Sequence, residues 1–466
     1  MNNKNNILNP QNWGLNIEGE GELYWNNFKL TSFAKEFGTP LYIINEDRLF
    51  TAAENFKAKV KLIFGEMGSV YYPFKCNSVP AVINVIKKSD ISAEVMTEFE
   101  LKLALKIGFV PNKIIVNGPC KTEKFLKECV EIGVKLIIID SVSELLSLTK
   151  IAEGKEVKIL LRVNPDVIPK GLYRGSATGS KASWFGMDGF EVLKAIEILK
   201  QNRLIKFQGI HFHIGTGLRE PQSYTEAIKK LYPLFHSLQS SGFKIKIIDV
   251  GGGFASMTTR ELSPLEMIAL QISSKYMLKW GKRKSYNISD FLTEIKKAVH
   301  SFFIDFPEIF FEPGRCIVSP NQLLLLTVIR IKQRGDKKWL ITDGGLGTVT
   351  MPTYYEYHEM FLCNNANRVI TDTATITGPC CFASDIIYKN KPMPKVKEGE
   401  VLALMDCGAY FNALESSFNF PKPGIVSIHG DSYSLARRKE SFNEMFVRDN
   451  IKQYLIEEVQ NEILCR

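Results

Sequence analysis

The chain has no C-x-x-C pair among its nine cysteines. An odd count without paired spacing argues against a disulfide frame and for reduced thiols in a cytosolic protein. No stretch approaches the ~20 continuous apolar residues that a membrane-spanning helix needs. The opening segment, MNNKNNILNPQNWG, lacks the apolar centre of a secretory signal. Cytoplasmic localisation without a membrane partner is therefore the expectation. Histidines number only six, and neither they nor the cysteines give a convincing ligand spacing, so no metal site is expected. Internal repeats and low-complexity linkers are also missing. The net charge of +9 is scattered rather than striped, which argues against a nucleic-acid groove and is compatible with anionic small molecules. The longest basic cluster, Lys279, Lys282, Arg283 and Lys284, reads as a solvated helix end or loop.

What the chain does have is a beat of eight short apolar runs, at 69–74, 91–95, 113–116, 135–139, 158–163, 207–214, 245–250 and Glu308–Phe311. Each is β-branched or aromatic, as a strand buried on both faces should be. Between most of them lie stretches with apolar residues three and four apart, among them Pro80–Lys88, Glu98–Ile107, 122–132 and 144–152, and Gly108, Gly133 and Gly154 follow as left-handed C-terminal caps. Strand-helix alternation repeated eight times predicts right-handed βαβ units closing into a (β/α)8 barrel. The competing architecture is an open doubly wound sheet, but no dinucleotide fingerprint follows the first strand.

From about residue 322 the long helical stretches give way to β-type runs at 323–329, 339–342, 369–371, 401–405 and 424–428. The predicted layout is a barrel over 48–321 and a C-terminal β domain over 322–466. Residues 1–47 are expected to complete that β domain with strands at Glu22–Trp25 and 41–44. A long loop, 164–186, follows the fifth strand, and loops of that length at a barrel's C-terminal face are usually functional.

Active sites in barrels form where the strands end. After the first strand, in YYPFKCN, comes Lys75, placed to hold a carbonyl as an imine if burial strips its proton. The second exit carries Glu94 and Glu100, and the fifth strand carries Arg162. The sixth ends HFHIGTG, the seventh DVGGGF and the eighth EPGR. In the sixth, His211 and His213 alternate and so share a face, with Phe212 opposite. A flat imidazole at the mouth suits stacking on an aromatic ring. Gly251, Gly252 and Gly253 let backbone N–H groups approach an anion, and phosphate sites in barrels often follow strands seven and eight. Arg315 and Thr216 supply further donors. One cofactor accounts for an amine, a phosphate cradle, a stacking imidazole and the carboxylate of Glu312 together: pyridoxal phosphate.

The motif set YPFKCN, HFHIGTG, DVGGGF, EPGR, GPCC…D and GAYF resembles the fold type III pyridoxal-phosphate decarboxylases, which act on diaminopimelate, ornithine, lysine or arginine. The motifs keep the family's order from Lys75 to Tyr410, and the loops are most similar to the diaminopimelate branch. The resemblance implies an amino-acid decarboxylase in which Lys75 carries the cofactor and His213 stacks on its ring. It also implies that Glu312 pairs with the pyridine nitrogen and that Thr216, the three glycines, Arg315 and Tyr410 hold the phosphate. Arg315 is equally a substrate group, and Glu94 and Arg162 match polar residues near the ring. Cys381 matches the cysteine that reprotonates the substrate carbon from a partner subunit, which implies a homodimer with shared sites; Asp385 falls on that motif's last aspartate.

The chain departs from the family at the substrate's far end. Phe382 stands where a carboxylate usually grips a distal amine, Met351 where an arginine usually holds a distal carboxylate, and Trp184 replaces a lysine. Asp343 remains as an anchor for a cation. The expected substrate is therefore an amino acid other than meso-diaminopimelate. A racemase on the same fold, and a catalytically silent binding homologue, are the competing functions.

Overall fold

The computed structural model describes residues 9–169, 177–273, 276, 287–303, 305–351 and 356–450. The basic cluster 279–284 and the middle of the 164–186 loop lie outside them. Three strands, β1 (Leu15–Glu18), β2 (Glu22–Trp25) and β3 (Phe28–Lys29), make a small antiparallel sheet. β4 (Leu41–Asn45) then leaves for the far end of the chain. Next come β5 (Gly68–Pro73), β6 (Ser92–Val95), β7 (Ile114–Val116), β8 (Leu136–Ile139), β9 (Val157–Arg162), β10 (Ile205–His211) and β11 (Ile247–Asp249), followed by the short β12 (Arg260–Glu261) and β13 (Glu308–Phe311). All of these from β5 to β13 except β12 close into a parallel barrel, with β13 paired to β5.

The predicted barrel is thus the observed one. Predicted and observed strand ends differ by up to three residues, and the helices Pro80–Lys88 and Glu98–Ile107 agree at both ends. Gly108 and Gly133 cap helices in the left-handed conformation, whereas the helix Val142–Ile151 is capped by Ala152, two residues before Gly154.

Side-chain parity builds the barrel's interior. Tyr71, Ile115, Leu136, Ile138, Leu160, Ile247 and Phe310 fill it as one apolar plug. Full burial of each large side chain is worth about 1.5–3 kcal/mol. Two residues further along the same faces, the plug gives way to polar groups: Asn117, Asp140, Arg162, Asp249 and Glu312, all buried. The mouth is polar because alternation carries the inward face past the last apolar layer.

The remaining strands are β14 (Gln322–Arg334), β15 (Lys337–Thr342), β16 (Glu356–Tyr357), β17 (Met360–Leu362), β18 (Ile370–Thr377), β19 (Ile386–Pro394), β20 (Val401–Leu404), β21 (Gly424–His429) and β22 (Ser432–Arg437). A nine-stranded sheet runs β19-β18-β15-β14-β4-β21-β22, with β20 also on β14 and β17 on β20. β4 lies between β14 and β21, as expected of the 41–44 segment. β2 does not enter this sheet; its small sheet meets it through Leu23 N donating to Cys363 O and through a shared apolar core.

Asp406 fastens three parts of the chain. Its buried carboxylate accepts from Trp13 Nε1 (2.8 Å), Ser256 Oγ (3.1 Å) and Thr258 Oγ1 (2.6 Å). Removing it leaves Trp13 Nε1 and one of the two hydroxyls, which lie 3.0 Å apart, without an acceptor. Asp406→Ala is expected to lower the denaturant midpoint of the full chain, with a loss of about 3 kcal/mol, measured by equilibrium unfolding against the unsubstituted protein.

Candidate active site

The barrel mouth opens on a cavity of about 550 Å³. Lys75 enters it from the 3-10 turn Phe74–Cys76 that ends the first barrel strand. Its Nζ donates to Glu94 Oε2 at 2.6 Å. Glu94 sits on β6 beside Pro73 in register, so adjacent parallel strands bring the pair together. Burial alone would lower the lysine's pKa, but the charges of Glu94 and Glu312 outweigh it and hold the pKa above its ordinary value. The amine expected to be stripped of its proton is instead an ammonium in the cofactor-free site. Glu94 is itself raised, by burial first, with Lys75 opposing and Glu312 adding.

Glu312 follows β13 and accepts from Asn117 Nδ2 at 3.2 Å, while His211 Nε2 lies 3.6 Å away. Burial would raise Glu312, but His211 and Lys75 prevail and keep it ionised. His211 is wholly buried in the barrel and does not reach the cavity, whereas His213, past the strand end, lines it. Gly252 N donates to His213 Nδ1 at 3.2 Å, which leaves the ring's proton on Nε2 and fixes its orientation. Burial and the nearby Arg162 push His213 down to about 3, so the ring is neutral across the working range.

The glycine loop lies against the side chains of the mouth. Gly251 N donates to Asp249 Oδ1 and Gly252 N to His213 Nδ1, so two of its three N–H groups serve the site's own side chains. The loop is glycine because it presses on its neighbours: a Cβ on Gly252 would lie 2.2 Å from Glu312 O, and one on Gly253, at φ +98°, 2.2 Å from Gly215 O. Thr216 and Arg315 lie together on the wall, with Arg315 Nε donating to Thr216 Oγ1 at 3.4 Å. The guanidinium also lies 5.1 Å from the Tyr410 ring. Tyr410 takes a left-handed backbone at φ +66°, and its N–H donates to Cys76 O at 2.8 Å, beside Lys75. Arg162 pairs with Asp140 at 3.3 Å and stacks on Phe185, 4.6 Å away.

One cavity therefore gathers Lys75, Glu94, Arg162, His213, Thr216, Glu312, Arg315, Met351 and Tyr410. Met351, 3 % exposed, lines the cavity, as do the apolar Met96 and Leu414. Sequence reasoning missed Asn117 and Asp140; both follow a strand, where only the charged exits of other strands had been read. Other residues singled out in the sequence lie outside this cavity. Asp343 borders a second cavity and accepts from Thr39 Oγ1 and Thr327 N. Asp385 accepts from Leu346 N (2.7 Å) and Cys380 N (2.8 Å) and lies outside this cavity. Phe382 is 48 % exposed and faces Phe418, and Cys381 is exposed. Trp184 points outward at 78 % exposure while its neighbour Phe185 lines the cavity.

The family model for the pyridoxal-dependent decarboxylases, pyridoxal binding domain, matches residues 49–319. The chain belongs to this family. A diaminopimelate decarboxylase of Aquifex aeolicus is 30% identical over 91% of this chain and 94% of its own. The crystal structure of a diaminopimelate decarboxylase from M. jannaschii superposes with a TM-score of 0.84 at 25% identity, covering 95% of this chain and 99% of that one. A second structure of that enzyme, in co-complex with L-lysine, superposes with a TM-score of 0.82 at 24% identity and supports the shared fold. This chain is thus a pyridoxal-phosphate enzyme that removes CO2 from an amino acid. Among its described residues no helix is long and apolar enough to cross a membrane.

The residues present fit that cofactor. The wall offers an amine, an ionised carboxylate, a neutral imidazole face and an arginine–hydroxyl pair, and Glu94 Oε1 is buried without a partner.

His213 has a consequence for pH. An unfolded histidine takes a proton near 6.5, whereas the folded one resists until about 3. Between those values the unfolded chain binds more protons, so the neutral ring's share of stability is present above 6.5 and is lost as pH falls. Denaturant midpoints of the cofactor-free protein are expected to drop across that window, and His213→Gln to drop less.

Proposed function

We propose that this decarboxylase acts on an amino acid whose far end lacks the ammonium–carboxylate pair of meso-diaminopimelate. The observation that carries the reading is Met351, buried in the cavity wall. A thioether can pack against a methylene chain but cannot pair with a carboxylate. Asp343, which borders a different cavity, offers no anchor for a distal ammonium in this one.

In this reading Lys75 would hold the cofactor's aldehyde end, Glu312 its ring nitrogen, His213 one ring face, and Thr216, Arg315 and Tyr410 its phosphate. The bound cofactor supplies an electron sink for the pair left on Cα when CO2 departs. Glu312, kept ionised by His211 and Lys75, keeps a proton on the ring nitrogen, which makes that sink strong. Neutral His213 adds no positive charge against the ring. Glu94 receives the lysine's ammonium whenever the substrate amine takes its place. Apolar Met96, Phe185 and Leu414 shield the substrate carboxylate from water, which favours its loss.

Proton return to Cα is assigned to Cys381 of a second copy. That thiol is exposed and outside its own chain's cavity, so a homodimer with shared sites is part of the proposal, as is a cytoplasmic setting for its free thiols.

Two measurements test this. Lys75→Ala should lose the visible absorbance of bound cofactor and at least about a thousandfold in CO2 release. A panel of L- and D-amino acids, assayed for CO2, should show a preferred substrate other than meso-diaminopimelate; turnover of that compound above all others would overturn the proposal.

A further inference from the structure

We propose that His358, acting through Glu356, is a positioning residue that sets the orientation of Arg315 on the cavity wall. The inference rests on the reading of Arg315 as an anion-binding group. Arg315, Glu356 and His358 are exposed by 4 %, 2 % and 0 %. Arg315 Nη1 lies 2.6 Å from Glu356 Oε1 and donates to Oε2 at 2.8 Å. His358 Nε2 lies 3.0 Å from Oε2, and His358 Nδ1 lies 2.9 Å from Met405 O, the residue after β20. Neither Glu356 nor His358 lines the cavity.

A buried ion pair is weak evidence for stability, because desolvating both ions offsets their attraction. Its value here is geometric. A carboxylate holding an arginine alone can swing about its own torsions and take the guanidinium with it. His358 engages the same carboxylate and ties it to a backbone carbonyl of the large sheet. The segment is held on its other face too: Lys391 Nζ donates to Tyr357 OH (2.8 Å) and Glu359 Oε1 (2.6 Å). β16 itself pairs with β12, from a barrel loop. Arg315 is thereby fixed with Nε toward Thr216 and its plane near Tyr410. The sheet, through His358, sets the angle at which the mouth's arginine meets an anion.

The test is a double-mutant cycle on the full-length protein with His358→Asn, Glu356→Gln and Arg315→Lys, singly and combined. Dissociation constants are measured for pyridoxal phosphate and for pyridoxal, and KM and kcat for the amino acid turned over best in the panel. His358→Asn and Glu356→Gln are each expected to cost about tenfold in one binding constant, the size of a lost charge-assisted hydrogen bond. A loss confined to pyridoxal phosphate means that Arg315 meets the phosphate; a loss in KM means that it meets the substrate carboxylate. In either case kcat should change by less than about threefold, and the loss should not recur in the Arg315→Lys background. Unchanged constants, or losses that add fully to that of Arg315→Lys, would overturn the proposal. Should His358→Asn fail to fold, the isosteric Glu356→Gln carries the same cycle. Lys75→Ala separates the two readings: if bound-cofactor absorbance survives there, the site assignment fails, whereas its loss beside an additive cycle sinks only the role of His358.

Discussion

The site depends on how buried charge is balanced around Lys75. The Lys75 ammonium, half-buried at the cavity wall, is favoured by the charges of Glu94 and Glu312 over the cost of its burial. Those carboxylates cannot stand alone either, and each recruits support: Glu312 from Asn117 and His211, Glu94 from the lysine itself. The pattern repeats around the wall, where Arg162 has Asp140 and Arg315 has Glu356. Lys75, Arg162 and Arg315 at the mouth thus each have a built-in counter-charge. A guest is therefore received by exchange of hydrogen bonds inside a fixed field, the condition under which electrostatic preorganisation is most effective.

The barrel and much of its mouth were legible in the sequence, for reasons that particular residues make plain. Strands buried on both faces leave compact apolar runs, and parallel strands place their exits side by side. Lys75, Glu94, Arg162, His213 and Glu312 could thus be gathered without coordinates. Asn117 and Asp140 obey the same parity, two residues past Ile115 and Ile138, but stand in no motif that marks them out. β19 escaped notice because IIYKNKPMP carries two prolines and two lysines, a composition foreign to strands, and is held as an edge by its pairing to β18. The roles of Asp343 and Asp385 were illegible for a different reason. Nearness to a motif does not reveal whether a carboxylate's oxygens are already taken, and here backbone N–H groups and a threonine hydroxyl take them.

The two halves of the molecule are bound by strands that ignore sequence order. β14, thirteen residues long, pairs with β4, β15 and β20 along its length. Its first residue also reaches the catalytic end of the barrel, where Gln322 Oε1 accepts from Asn77 Nδ2, two residues beyond Lys75. Asn77 Nδ2 donates as well to Gly408 O. The turn that carries the reactive amine is thus gripped by the sheet's own loops, and cofactor chemistry on the barrel is framed by residues several hundred positions away.

Tyr410 shows what such framing demands. A side-chain-bearing residue in the left-handed basin costs on the order of 1–3 kcal/mol, and glycine would sit there at ease. Yet glycine would leave Arg315 without this aromatic neighbour and the cavity without one of its lining side chains. At this position the substitution that best suits the backbone is the one that most injures the chemistry. Selection for a sturdier fold and selection for a working enzyme pull on this one residue in opposite directions.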